Sequence, residues 1–257
     1  MDRHIRLMEP GGEIVVGPEQ IALVEQLREE ANIPPQIERI TTDIFVFARG
    51  EPSAREITKI GGLPYWPSDR PWPQSAAEVP MTYIAQVCFA DSRDLVGDLP
   101  GDILLIFGEQ EGIWEEDPSA IRFEWMSIDQ PDLISQDDVP SSSWDIVPCY
   151  GQLFRTHDSP GSETHLQAYE RSGNLAVLEG TKIGGVPRWI QGDSQLPGRF
   201  LCSIGSIAVG GNRSFPFVNV SEPPGWRTDD YVMWGDMGSF YIFITGNAEL
   251  RWTIQCY

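Results

Sequence analysis

Lysine is nearly missing from this chain. Lys59 and Lys182 are the only two, and the remaining cations are all arginine. Positive charge is scarce altogether, with 18 Lys and Arg against 38 Asp and Glu and a formal net charge of −20. A surface of that sign repels phosphate backbones and anionic lipid, which excludes nucleic acid and membrane surfaces as natural partners. The partner it suits is basic. Cysteine is also sparse: Cys88, Cys149, Cys202 and Cys256 are far apart and form no C-x-x-C pair. This argues against a zinc site and against a dense disulfide framework, and makes a reducing compartment the default.

Long apolar runs are lacking too, both at the N-terminus, where Asp2, Arg3, His4 and Arg6 stand in place of a secretory core, and elsewhere. The expectation is a cytoplasmic protein. Nucleophile elbow, P-loop, H-E-x-x-H and dinucleotide fingerprints are all absent. His4, His157 and His165 do not cluster at metal-ligand spacing. No metal or cofactor is therefore expected, and nothing in the sequence asks for catalysis.

What is present is a globular composition, 41% hydrophobic and 11% aromatic, broken by 21 Pro and 25 Gly. Many turns between short elements favour strands over a helical bundle. The organising feature is a repeat, Thr58-Lys59-Ile60-Gly61-Gly62-Leu63-Pro64-Tyr65-Trp66 returning as Thr181-Lys182-Ile183-Gly184-Gly185-Val186-Pro187-Arg188-Trp189. Both lysines fall at the same place in it. A β-rich α+β fold is expected, internally duplicated into two pseudo-symmetric, sheet-containing halves with an N-terminal helix. The single domain over 1–257 divides into a first repeat at about 40–130, an acidic connecting region at about 109–150 and a second repeat at about 170–257.

In chain order, residues 1–16 read as a short strand or arm. Pro18 then opens a helix to about Ala31, with Ile21, Val24, Leu27 and Ala31 on one stripe. Ile44–Phe47 reads as a buried strand, and Pro67–Pro73 as a loop over Trp66 and Trp72. Tyr83–Phe89 alternates with period two, Gln86 being its polar oddity, and Ile103–Phe107 is a fully buried strand. Residues 151–171 have weak periodicity. Phe200–Ile204, Ser239–Ile244 and Trp252–Cys256 supply the strands of the second repeat, Gly238 aligning with Gly101.

Two candidate sites follow. From Glu109 to Asp145 eleven acids are opposed by Arg122 alone, with Trp114, Trp125 and Trp144 among them. Such a run is ordinarily a solvated face, but aromatics among carboxylates also suit the docking of a basic protein, with Trp114, Glu115, Glu116 and Asp117 as candidate contacts. The second candidate is an inter-repeat cleft of Lys59, Lys182, Trp66, Trp189 and Asp236, taking a small anionic ligand or serving an enzyme of unrecognised type. Against it stands a structural role for the lysines, holding strand-end carbonyls or acids such as Asp69, Asp193 or Asp236.

The motif Lys59–Pro67, then Tyr83–Val87 and Leu99–Gly101, then Lys182–Pro187 and Met233–Gly238, resembles the bacterial YwqG-like family in its order. The resemblance covers about residues 40–257. It implies a duplicated, β-rich α+β fold distantly similar to the programmed-cell-death-2 proteins, which chaperone a ribosomal protein, and an immunity-type or chaperone-like role toward a basic polypeptide. Ser203-Ile204-Gly205-Ser206 departs from the family pattern, which carries an acidic pair there.

Overall fold

The computed structural model describes residues 7–9, 12–14, 39–114, 117–142, 144, 146, 148–158, 160, 177, 179–207 and 233–257. Strands β1 (Leu7–Glu9) and β2 (Gly12–Ile14) form a separate antiparallel hairpin. The other strands are β3 (Ile40–Arg49), β4 (Lys59–Ile60), β5 (Thr82–Cys88), β6 (Ile103–Gly108) and β7 (Ile121–Met126) in the first part of the chain. The second part adds β8 (Cys149–Asp158), β9 (Lys182–Gly184), β10 (Arg199–Gly205), β11 (Ser239–Ile244) and β12 (Leu250–Gln255). These ten strands make one antiparallel sheet in the order β12-β11-β10-β9-β3-β8-β4-β5-β6-β7.

This corrects the expected α+β class with two sheet-containing halves. The ten strands from β3 to β12 share one sheet, which curls into a nearly closed, barrel-like form. Helix among the described residues is confined to single turns such as Arg93–Val96 and Gln110–Trp114. The N-terminal helix expected to end near Ala31 lies outside the described residues and has no part in the described architecture.

The two lysine strands flank a central pair of long strands, each across from the one that precedes it in sequence. The long β3 pairs with β9 of the second repeat on one side, and the long β8 pairs with β4 of the first on the other. The two long strands pair with each other over their whole length, from Ile40 opposite Asp158 to Arg49 opposite Cys149. Each lysine strand therefore lies next to the other long strand and not the one that precedes it in sequence.

Alternation along the strands sorts side chains to the two faces of the sheet. Leu104 and Ile106 of β6, Leu201 and Ile204 of β10, and Phe240 and Ile242 of β11 share one interior core. On the outer face of the first repeat, Ile103, Leu105 and Phe107 are covered by Tyr65, Trp66, Met81 and Ile134. Covered on both faces, β6 is buried along its length, as its unbroken apolar run predicts. Gly101 and Gly238 precede corresponding strands, and at each a Cβ would collide with the backbone of the neighbouring edge strand, at Met126 and at Gln255.

The interior closes around a seam. Across the interior, Phe123 of β7 stacks on Phe240 of β11, with ring centroids 6.3 Å apart. A groove of about 500 Å³ lies beside β7, lined by Gln74 and Met81 of the segment before β5, by Arg122, Phe123 and Trp125 of β7, and by Leu250 of β12.

Candidate functional site

The repeated motif builds the same device twice. Gly61 and Gly62 have φ of +61° and +71°, and Gly184 and Gly185 have +68° and +69°. Two consecutive residues in the left-handed region reverse the chain at low cost only where both are glycine. The reversal returns the backbone over the lysine. Lys59 Nζ donates to the Leu63 carbonyl and to Glu51 Oε1 at 3.2 Å, while Glu51 also accepts from the Leu63 N–H. Lys182 Nζ donates to Asp158 Oδ2 at 2.8 Å, which also accepts from the Val186 N–H at 2.9 Å. In both copies a carboxylate near the end of the preceding long strand, Glu51 two residues past β3 and Asp158 the last residue of β8, bridges the lysine and the returning backbone.

The threonine before each lysine repeats its bonds as well. Thr58 Oγ1 accepts from the Cys88 N–H and Thr181 Oγ1 from the Gly205 N–H, at 2.9 and 3.2 Å. Their carbonyls accept from Gly151 and Phe45 on the neighbouring long strands. Past each Gly-Gly turn, the tryptophan folds onto the outer face of the sheet. Trp66 meets Phe107 edge-on at 5.2 Å, and Trp189 lies against Tyr241 at 5.0 Å. Trp66 is buried and Trp189 half-buried.

Both lysines are 1% exposed. Burial lowers the Lys59 ammonium to about 8 against the attraction of Glu51, and likewise lowers that of Lys182 against Asp158. The carboxylates differ more, since Asp158 is fully buried and Glu51 is 32% exposed. An anionic ligand would have to displace these partners from cations that solvent does not reach, so the geometry is that of a cross-brace. Asp236 belongs to neither pair. It is exposed in the turn before Gly238, where its carbonyl accepts from the Tyr257 N–H.

The sequence reading missed Glu51 and Asp158, and marked Gln86 as a polar oddity without giving it a role. Gln86 is buried, accepts from the Tyr65 N–H and Tyr83 hydroxyl, and donates to the Arg55 and Ile57 carbonyls. A lone polar residue in an apolar strand was the available signal. A third missed cluster is Asp43, buried and held in a bidentate pair by Arg155 at 2.8 and 2.9 Å and by Ser92 at 2.7 Å. Arg155 also grips Asp94, whose carboxyl it holds below the usual range.

Of the candidate docking residues, Trp114 ends the helical turn Gln110–Trp114, and Glu115 and Glu116 lie outside the described residues. Asp117 is exposed and accepts from the Ser119 N–H and hydroxyl at the start of Pro118–Ala120, a local bond that leaves its charge facing solvent. Further on, Asp129, Asp132, Asp137 and Asp138 are exposed on the loop after β7.

No group of His, Cys, Asp and Glu among the described residues is arranged to hold a metal. The cysteines are unpaired, and burial raises the thiol of Cys88 to about 11 and those of Cys149 and Cys202 further, the reverse of what activates a nucleophile. No helix among the described residues is long and apolar enough to cross a membrane.

Comparison with curated proteins returns no match. A family described as "Domain of unknown function (DUF1963)" matches residues 58–250, from the threonine of the first lysine motif to the first residue of β12. The matched span holds both cross-braced turns and all the strands from β4 to β11, and the chain belongs to that family.

Proposed function

We propose that this protein is a binding domain that captures a basic polypeptide. The observation that carries the reading is the asymmetry of its charges. Arg70, Arg93, Arg122, Arg155, Arg188 and Arg251 each hold a carboxylate internally, and Arg55 and Arg199 hold backbone carbonyls. Asp129, Asp132 and Asp137 meanwhile stand exposed without an ion pair, on a chain of net charge −20. A field of that sign steers a cationic partner and repels an anionic one.

The kinship to YwqG-like and programmed-cell-death-2 proteins belongs to the same proposal, resting on motif order. So does the role, either neutralising a toxin or shielding a nascent client, in a cytoplasm that keeps the cysteines reduced. The test is to tag the chain in its native cells, purify it at low salt and identify what leaves in a high-salt wash. A stoichiometric basic polypeptide supports capture and names the client. A wash without one, together with a small molecule retained on the protein in native mass spectrometry, overturns it.

A further inference from the structure

Strand β7 stands at one end of the sheet order, and side chains from both of its faces reach the groove of about 500 Å³ beside it. Alternation sends Phe123 and Trp125 inward, toward the core, and Arg122 and Glu124 outward. Phe123, Trp125 and Leu250 of β12 are only half-buried, whereas Leu104 and Ile106 on the adjacent β6 are fully buried. Aromatic and aliphatic surface is thus left at the groove, in a volume typical of small-molecule sites.

The charge at the groove has the opposite sign to the chain as a whole. Glu124 is buried, and each of its oxygens takes one arginine: Oε1 accepts from Arg122 Nε at 2.6 Å and Oε2 from Arg70 Nη2. Two cations share one carboxylate, which leaves the group with one excess positive charge. Arg70 is spent elsewhere, lying over the Trp66 ring at 4.7 Å with its Nη1 against the Met126 sulfur. Arg122 lines the groove, and its Nη1 and Nη2 have no partner among the described residues.

The segment before β5 supplies a wall that is held by its own bonds. Ser75 Oγ accepts from the N–H groups of Ala77 and Val79, and a bridge between Gln74 and Pro80 closes the same loop. The groove therefore has its shape before anything enters it.

These features select a ligand. A guanidinium whose Nε is taken keeps its Nη1–Nη2 edge, which matches the two oxygens of a carboxylate. One excess positive charge suits a monoanion, and a phosphate dianion would remain half-compensated on a chain of net charge −20. The rings of Phe123 and Trp125 favour another ring laid against them.

We propose that the groove beside β7 binds a small aromatic carboxylic acid, its ring against Phe123, Trp125 and Leu250 and its carboxylate on the free edge of Arg122. This goes beyond the capture of a basic polypeptide and does not depend on it.

Calorimetry of the full chain with cinnamate and with its uncharged counterpart cinnamamide tests the site, at about 0.15 M salt, where the long-range field of the chain is screened. Cinnamate is expected to bind about tenfold more tightly than the amide. Arg122→Gln is expected to abolish that preference. Arg251→Gln, which takes the same charge from an arginine of β12 outside the groove lining, leaves it intact. Arg122 is 53% exposed and Glu124 keeps Arg70 in its absence, so the variant folds, as circular dichroism would check. Equal binding of acid and amide, an equal effect of the two substitutions, or no binding of cinnamate at millimolar concentration overturns the site.

Discussion

Replacing Lys182 by Met removes one partner of a pair in which both members are buried. Asp158, fully buried, then keeps the Val186 N–H but loses its cation. Leaving a buried charge uncompensated costs about 3–5 kcal/mol. The same change at Lys59 leaves Glu51, which is 32% exposed and can rehydrate, so about half that loss is expected there. The double variant Lys182→Met with Asp158→Leu removes both charges but orphans the Val186 N–H, and should recover all but about 1–3 kcal/mol. Urea unfolding followed by tryptophan fluorescence and circular dichroism measures all three. A loss at Lys182 below about 1 kcal/mol and no larger than that at Lys59 would refute the cross-brace.

Other outcomes follow from the same geometry. Lys59 is held near 8 when folded and titrates near 10.4 when unfolded, so between those values the unfolded chain binds more protons and stability rises with pH. Comparing wild type with Lys59→Met in urea melts from pH 8 to 9.5 should show wild type gaining on the variant, and a flat difference contradicts it. Gly185→Ala forces a left-handed alanine whose Cβ collides with Asp158 Oδ2 and with Thr42 Cβ, whereas Gly184→Ala comes no nearer than 3.3 Å, to Leu95. Losses of above 3 kcal/mol and of about 1–2 kcal/mol are expected in the same assay, and equal losses would mean the carboxylate can move aside. Arg155→Gln strands the buried Asp43 and should cost about 3 kcal/mol, with the Asp94 carboxyl returning toward its ordinary range by NMR titration. A thiol reagent at neutral pH should leave Cys149 and Cys202 unlabelled until denaturant is added.

The local readings that succeeded were those in which one strand carries its own signal. Ile103–Phe107 and Phe240–Ile244 are runs of aliphatic and aromatic residues and lie in buried β6 and β11. The paired Gly-Gly motif also announces an unusual backbone, and both copies adopt it. What could not be read was which strand sits beside which. Strand β8 mixes Gln152, Arg155, Thr156 and Asp158 into its course, so it shows no period, yet it is central. Its polar residues are tolerated because partners from distant sequence meet them, as Lys182 meets Asp158 and Asp43 meets Arg155. The same blindness hid the acids of the cross-braces. Candidates were sought downstream of each motif, at Asp69, Asp193 and Asp236, whereas Glu51 and Asp158 come before it, just past the end of β3 and at the end of β8. The two-halved α+β reading failed for a related reason, since a sequence repeat reveals that a unit occurs twice and is silent on which long strand each copy pairs with.

That pairing has a consequence during synthesis. As the chain leaves the ribosome, β3 has neither of its neighbours, because β8 and β9 are both still to come, and β4 waits for β8 as well. The first repeat cannot complete itself and then be followed by the second, as successive domains do. Its long pairings between residues about a hundred positions apart must form late, against the entropy of a large closed loop. Until then the interior faces of β5, β6 and β7 are open to other chains, and a strong excess of one charge, which keeps growing chains apart, protects them through that interval.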